Sequence, residues 1–150
     1  MTPEECVAHL GQLTNLPELR IDEESGFQIV FDDDYPIDVE FDEDEDRVYV
    51  SALVLGAAQA TAEVQHRALT GNGFGLMTAG ASFSLDPVAL DLLLTRVFPL
   101  AATTVDAFAA ALASLIEATQ AWREDLRANA GTEAPPPSFR AGFDFGFIRG

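Results

Sequence analysis

Asn72–Leu100 reads NGFGLMTAGASFSLDPVALDLLLTRVFPL, and its punctuation decides the fold. Asn72, Gly73 and Gly75 suit left-handed backbone angles, so they mark the end of a helix and the loop after it. From Gly80 to Leu85 the pattern alternates, with Ala81, Phe83 and Leu85 on one face, which is the period of a strand. Asp86-Pro87 is a turn pair, because Asp bonds its own backbone and Pro presets φ. The apolar run Leu90–Val97 resumes as a second strand and stops at Pro99. The stretch is therefore a helix exit followed by a hairpin, with no catalytic residue pattern in it.

Upstream, the chain starts with a capping box: Thr2 as N-cap, Pro3 at N1 and Glu5 at N3. Cys6, Leu10 and Leu13 share one helical face, and Asn15 and Pro17 end the helix. Leu19–Asp22 is expected to be a brief strand and Ser25-Gly26 a turn. Three strand signals follow. Phe27, Ile29 and Phe31 share a face; Ile37, Val39 and Phe41 alternate with Asp38 and Glu40; Val48, Val50 and Ala52 oppose Tyr49 and Leu53. The turns between them, Asp32–Pro36 and Asp42–Asp46, are acidic, so the three strands make an antiparallel meander. Ala57–Gly71 is expected to be a helix with a face of small residues, Ala57, Ala60, Val64 and Ala68. Thr103 and Asp106 suggest a capping box opening a long helix from Val105 to about Asn129, with Phe108, Leu112 and Trp122 inward and Gly131 as its stop. The order is α-β-β-β-α-β-β-α, an α+β fold in which an antiparallel sheet packs against helices.

The motif Asn72…Gly75…Thr78-x-Gly80-Ala81-x-Phe83-x-Leu85-Asp86-Pro87, with Leu92-x-Leu94 and Pro99-Leu100, resembles the class I type III secretion chaperones, the Tir chaperone-like family. Leu19-x-Ile21-Asp22-Glu23, Phe31-Asp32-Asp33 and Trp122-Arg123 extend the resemblance over roughly residues 1–127. The small-residue face of the second helix departs from the family pattern, which is Leu-rich there. The resemblance implies a cytoplasmic bacterial homodimer. It would bind the N-terminal region of a secreted effector in extended form and keep it soluble and competent for export, without enzyme activity or a cofactor. Effector contacts are expected at Leu10, Leu13, Phe27, Ile29, Phe31, Val39 and Val50. The dimer interface is expected at Val64, Ala68, Phe83, Leu92 and Leu94.

Charge agrees with a polypeptide partner. The net charge is −17 and all eight basic residues are Arg. Nucleic acid and anionic membranes would be repelled, whereas a basic or amphipathic segment is attracted. A single cysteine, Cys6, excludes an intrachain disulfide. No basic, apolar leader and no run of membrane-spanning length is present, so a cytosolic protein is expected.

The remaining chemistry is thin. Asp42, Asp44 and Asp46 have the 1-3-5 spacing of a calcium loop, but Arg47 stands where Gly is needed and Leu53 where Glu is needed, so a solvated acidic turn is expected and no metal. His9 and His66 lie on different helices, and Cys6 sits on an apolar face, where it reads as a small core residue. Trp122 likewise reads as core. There is no GxSxG, no P-loop and no dinucleotide glycine pattern. Residues 1–129 are expected to form the domain, and 130–150 a tail. In the tail Pro135-Pro136-Pro137 is a stiff spacer, and Phe143, Phe145 and Phe147 alternate. An alternative reading is a non-enzymatic regulator or adaptor of the same fold, its Phe-rich tail docking on a sheet edge.

Overall fold

The structure, a computed structural model, describes residues 1–31 and 35–129. The tail expected at 130–150, its polyproline spacer and the stop at Gly131 lie outside the described residues. The elements are α1 (Pro3–Leu13), β1 (Gly26–Phe31), β2 (Tyr35–Asp42), β3 (Arg47–Leu55), α2 (Ala62–Gly71), a short 3-10 turn (Gly73–Gly75), β4 (Ser82–Leu85), β5 (Leu92–Pro99) and α3 (Val105–Ala128). The strands form one antiparallel sheet in the order β1-β2-β3-β5-β4.

The period-2 pattern sorts the two faces of this sheet. Register pairs Phe27 with Val39, Val39 with Val50, and Ala52 with Leu94, and all of these are buried. Against them lie the inward residues of α3, Phe108, Leu112, Leu115 and Leu126, with Cys6 and Leu10 of α1 and Val64 and Ala68 of α2 in the same core. Phe108 meets Phe98 of β5 edge-on, with ring centroids 5.3 Å apart. The opposite face pairs Tyr49 with Val97, Ser51 with Thr95 and Leu53 with Leu93, and each of these six keeps partial or full exposure. Gln28, Val30, Asp38 and Glu40 continue that open face and are exposed.

Local chemistry sets the element ends. The capping box of α1 is present: the Glu5 amide donates to Thr2 Oγ1 at 3.2 Å, and the Thr2 amide donates to Glu5 Oε2 at 2.9 Å. Four expectations need correction. Leu19–Asp22 is not a strand. Asp22 instead folds the chain back, its carboxylate accepting from the Glu24 and Gly26 amides, both at 2.9 Å. The second helix starts at Ala62, not Ala57, because Gly56–Ala60 is held in turns and Thr61, with extended backbone, caps the Val64 amide. The cap of α3 is Thr104, whose Oγ1 accepts from Ala107; the Thr103 hydroxyl is spent on the Pro99 carbonyl. Asn72 keeps right-handed angles (φ −67°), while Gly75 and Gly80 take the positive φ values, +69° and +78°.

A second glycine requirement lies inside the fold. A Cβ on Gly71 would come within 2.5 Å of two atoms of the Trp122 ring. That ring stands edge-on to Phe83 at 5.0 Å, and its Nε1 donates to the Met77 carbonyl at 2.8 Å. Beside this junction Arg67 of α2 grips Asp125 of α3 with two parallel hydrogen bonds of 2.7 and 2.8 Å. One tryptophan thus joins α2, the loop after it, β4 and α3.

Candidate peptide-binding edge and groove

An open sheet has two edges, and unpaired edge groups are the natural docking points for an extended chain. The two edges here differ. At β4 the amide and carbonyl of Phe83 face outward, and the Asn72 side chain occupies both: its Oδ1 accepts from the Phe83 amide at 2.6 Å and its Nδ2 donates to the Phe83 carbonyl at 3.4 Å. A side-chain amide stands where a neighbouring strand would pair.

The β1 edge follows from the ladder. Phe41 donates to the Ser25 carbonyl at 2.9 Å, which makes Ser25 and Phe41 a hydrogen-bonded pair. Alternation then makes Phe27, Ile29 and Phe31 the residues that bond to β2 and turns the backbone groups of Gly26, Gln28 and Val30 outward. Gly26 is already closed, since its amide donates to Asp22 Oδ1 and its carbonyl accepts from the Asp22 amide at 2.8 Å. Among the described residues, Gln28 and Val30 keep an outward amide and carbonyl each. Gly26 also marks a close approach: a Cβ there would meet the Val39 carbonyl at 2.7 Å.

Where the edge is closed by Asp22, an apolar groove begins. A cavity of about 740 Å³ runs between α1 and residues 15–21, lined by Val7, Gly11, Leu16, Leu19 and Ile21 among others. Its floor depends on Gly11, where a Cβ would stand 3.0 Å from the Leu16 carbonyl. Leu13 and Leu16 stand exposed nearby in the chain.

The expected partner residues fall into two groups. Leu10, Phe27, Ile29, Val39 and Val50 are buried within the chain's own core; Phe31 is half-buried and Leu13 exposed. The five expected dimer residues, Val64, Ala68, Phe83, Leu92 and Leu94, are all buried within one chain as well. Core and groove residues obey the same period, so periodicity alone could not separate them. Val30 and Asn72 carry the edge chemistry instead. Val30, an apolar residue on the polar side of its strand, was the legible signal; the role of Asn72 needs the fold.

No catalytic constellation assembles from the cysteine and histidines. His9 pairs with Asp106 at 3.4 Å, and His66 is exposed on α2. Cys6 is 1% exposed, and burial pushes its thiol up to about 12. The thiol therefore stays protonated, and alkylation by iodoacetamide at pH 8 is expected only after denaturation. The sign of its pH linkage follows. The unfolded thiol ionises near 9.0 while the folded one does not until about 12, so stability is full below that window and falls as pH rises through it. The slope is at most about 1.4 kcal/mol per pH unit. Urea unfolding of wild type and Cys6→Ala at pH 8 and pH 10.5 checks it: the wild type should lose more. In the Asp42–Asp46 turn, Asp42 Oδ1 accepts from the Glu45 amide and Asp46 Oδ1 from the Ala101 amide, so two of the three spaced carboxylates serve the backbone. Among the described residues no group of three or more His, Cys, Asp or Glu is placed to hold a metal ion, and no helix is long and apolar enough to cross a membrane.

Residues 5–123 match the Tir chaperone protein (CesT) family. The chain belongs to this family. No curated protein sequence matches it. Solved structures agree with the Tir chaperone assignment at the level of fold. The ExsC–ExsE complex contains a chain similar with TM-score 0.71 at 21% identity, covering 81% of this chain and 90% of that one. The HopA1–SchA chaperone–effector complex gives TM-score 0.68 at 18% identity, covering 81% and 92%. The Yersinia pestis type III secretion chaperone SycH, in complex with a stable fragment of YscM2, gives 0.61 at 16% identity, covering 81% and 99%. The five-stranded antiparallel sheet and the order α-β-β-β-α-β-β-α are thus those of type III secretion chaperone folds.

Proposed function

We propose that this chain is a type III secretion chaperone that takes up an extended, apolar-to-basic segment of a secreted effector along the β1 edge and into the α1 groove. The observation that carries the binding mode is the asymmetry of the edges: on the short β4 Asn72 takes the outward groups of Phe83, whereas on β1 Gln28 and Val30 both keep theirs. A bound strand gains backbone hydrogen bonds at the edge, and side chains that continue past Asp22 meet the apolar lining of the groove. The charge of −17 favours a basic client and keeps loaded chaperones apart. The role needs binding without turnover, and the protein is read as a non-enzymatic cytoplasmic chaperone.

The test is co-purification of tagged protein from its native bacterium, followed by limited proteolysis. One dominant protein protected over a single N-terminal segment is the expected result. A set of regulatory proteins captured in its place would replace the chaperone reading with that of an adaptor.

The chaperone is further proposed to act as a homodimer, through α2 and the hairpin but with residues other than the buried five. Six exposed large apolar side chains, Leu69, Leu76, Met77, Leu85, Val88 and Leu90, fall between the end of α2 and the β4–β5 turn. Contiguous exposed apolar surface in a small domain marks an interaction surface, and the dimer reading takes these six, which lie within 22 residues of sequence, to form one. Light scattering coupled to size exclusion should give about twice the chain mass of 16.1 kDa. Leu69→Asp with Leu76→Asp should give the monomer with unchanged circular dichroism; a dimer that survives would move the interface elsewhere.

A further inference from the structure

The chain's own C-terminal segment has the composition of a β1 ligand. We infer that residues 138–150 dock as an additional strand on the β1 edge of the same chain and must be displaced by a client. This rests on the reading of that edge as the client site. Four observations support it. First, Phe143, Phe145 and Phe147 alternate, the strand period needed to place one row of rings over the groove side. Second, Glu133 and Asp144 balance Arg140 and Arg149, so the whole net charge of −17 falls on residues 1–129, and within 138–150 the two arginines face one aspartate. The segment is thus a weakly basic, aromatic peptide tethered to a strongly acidic domain.

Third, the helix that leads to it ends near the right place. The Arg123 guanidinium of α3 lies 4.4 Å over the ring of Tyr35, and Tyr35 pairs with Phe31 at the end of β1. Only six helical residues, roughly 9 Å, separate Arg123 from Asn129. Residues 130–142 can then span up to roughly 40 Å when extended, with Pro135-Pro136-Pro137 stiffening the path. Fourth, the alternative edge, β4, is only four residues long, and Asn72 takes both outward backbone groups of Phe83. Tethering converts a weak strand addition into an intramolecular one, for which the effective concentration reaches the millimolar range.

The experiment is amide exchange, followed by NMR, on the full-length protein with no client present. Gln28 and Val30 are the probes, because their amides have no partner within the sheet, and Ile29, bonded to β2, is the internal control. The comparison is wild type against Phe143→Ser, Phe145→Ser and Phe147→Ser combined. Exchange at Gln28 and Val30 should be at least about tenfold slower in wild type, with Ile29 unchanged. Equal, fast exchange in both proteins overturns the inference. So does protection that disappears on dilution, which would make the tail a ligand of a second copy. Because no client enters this measurement, its outcome is independent of the co-purification that tests the chaperone reading.

Discussion

Trp122→Ala is expected to destabilise the protein by about 3–5 kcal/mol, the usual cost of emptying a large buried aromatic site. For a chain of this size that lowers Tm by roughly 6–20 °C. The ring is 8% exposed, meets Phe83 edge-on and donates to the Met77 carbonyl, so the truncation removes packing, a ring contact and a hydrogen bond together. Gly71 supplies a sharper form of the same prediction. In a helix, Gly→Ala alone should gain about 1 kcal/mol, and Gly71 does not need a positive φ. Here the added Cβ would stand 2.5 Å from the Trp122 ring, which is rigid and held on three sides. Gly71→Ala should therefore cost about 1–3 kcal/mol by overpacking. In the Trp122→Ala background the clash is gone, and the same substitution should become neutral or stabilising. Chemical denaturation of the four proteins of this cycle measures it. A Gly71→Ala penalty unchanged in both backgrounds would place its cause outside the Trp122 contact.

The reach of the sequence is clearest in the strands. Ile37-Asp38-Val39-Glu40-Phe41 alternates without exception, and its apolar members are buried and its acids exposed as the period requires. Asp86-Pro87 and the Thr2 capping box carry their geometry in their own side chains, and both lie where they were expected. Misreadings occur where competition between neighbouring polar groups decides the outcome. Thr103 and Thr104 are equally good caps in isolation, and the Pro99 carbonyl settles which one is free. Ala57–Ala60 has helical composition, but the Asp91 carboxylate takes the Ala57 amide from across the fold and holds the segment as a turn.

The site was less legible than the fold for a related reason. Ile29 and Val39 satisfy the strand period whether they face a helix of their own chain or a client, and the structure fills that space with the chain's own core. Asn72 reads locally as a helix terminator. Its second role, holding the Phe83 backbone 11 residues away, depends on where β4 comes to rest. Edge identity is a property of topology: a five-stranded order of β1-β2-β3-β5-β4 leaves β1 and β4 outside, and no local pattern encodes that order.

These distinctions separate two substitutions one residue apart. Ile29→Asp would bury an unpaired carboxylate at a site that is 3% exposed. The cost should exceed about 4 kcal/mol, a large part of a typical 5–15 kcal/mol stability. Loss of partner binding in that variant would report unfolding, and the same applies to Val39→Asp and Leu92→Asp. Val30→Pro acts on the neighbouring residue with the opposite expectation. Its amide points away from β2, so removing the donor leaves the β1–β2 ladder intact, and an edge strand tolerates proline. Val30 is also half-exposed, so little core packing is lost. Stability should change by no more than about 1 kcal/mol. A client strand on that edge would lose one backbone hydrogen bond and meet the proline ring, which together should weaken binding by at least about tenfold. The decisive pair of measurements is thermal unfolding and titration with the protected client segment, both with Val30 and with Val30→Pro in the Phe143→Ser, Phe145→Ser, Phe147→Ser background, so that the chain's own tail does not compete for the edge. A folded Val30→Pro variant that binds the segment as tightly as its Val30 counterpart would remove the β1 edge from the mechanism and leave the α1 groove as the site that holds the client.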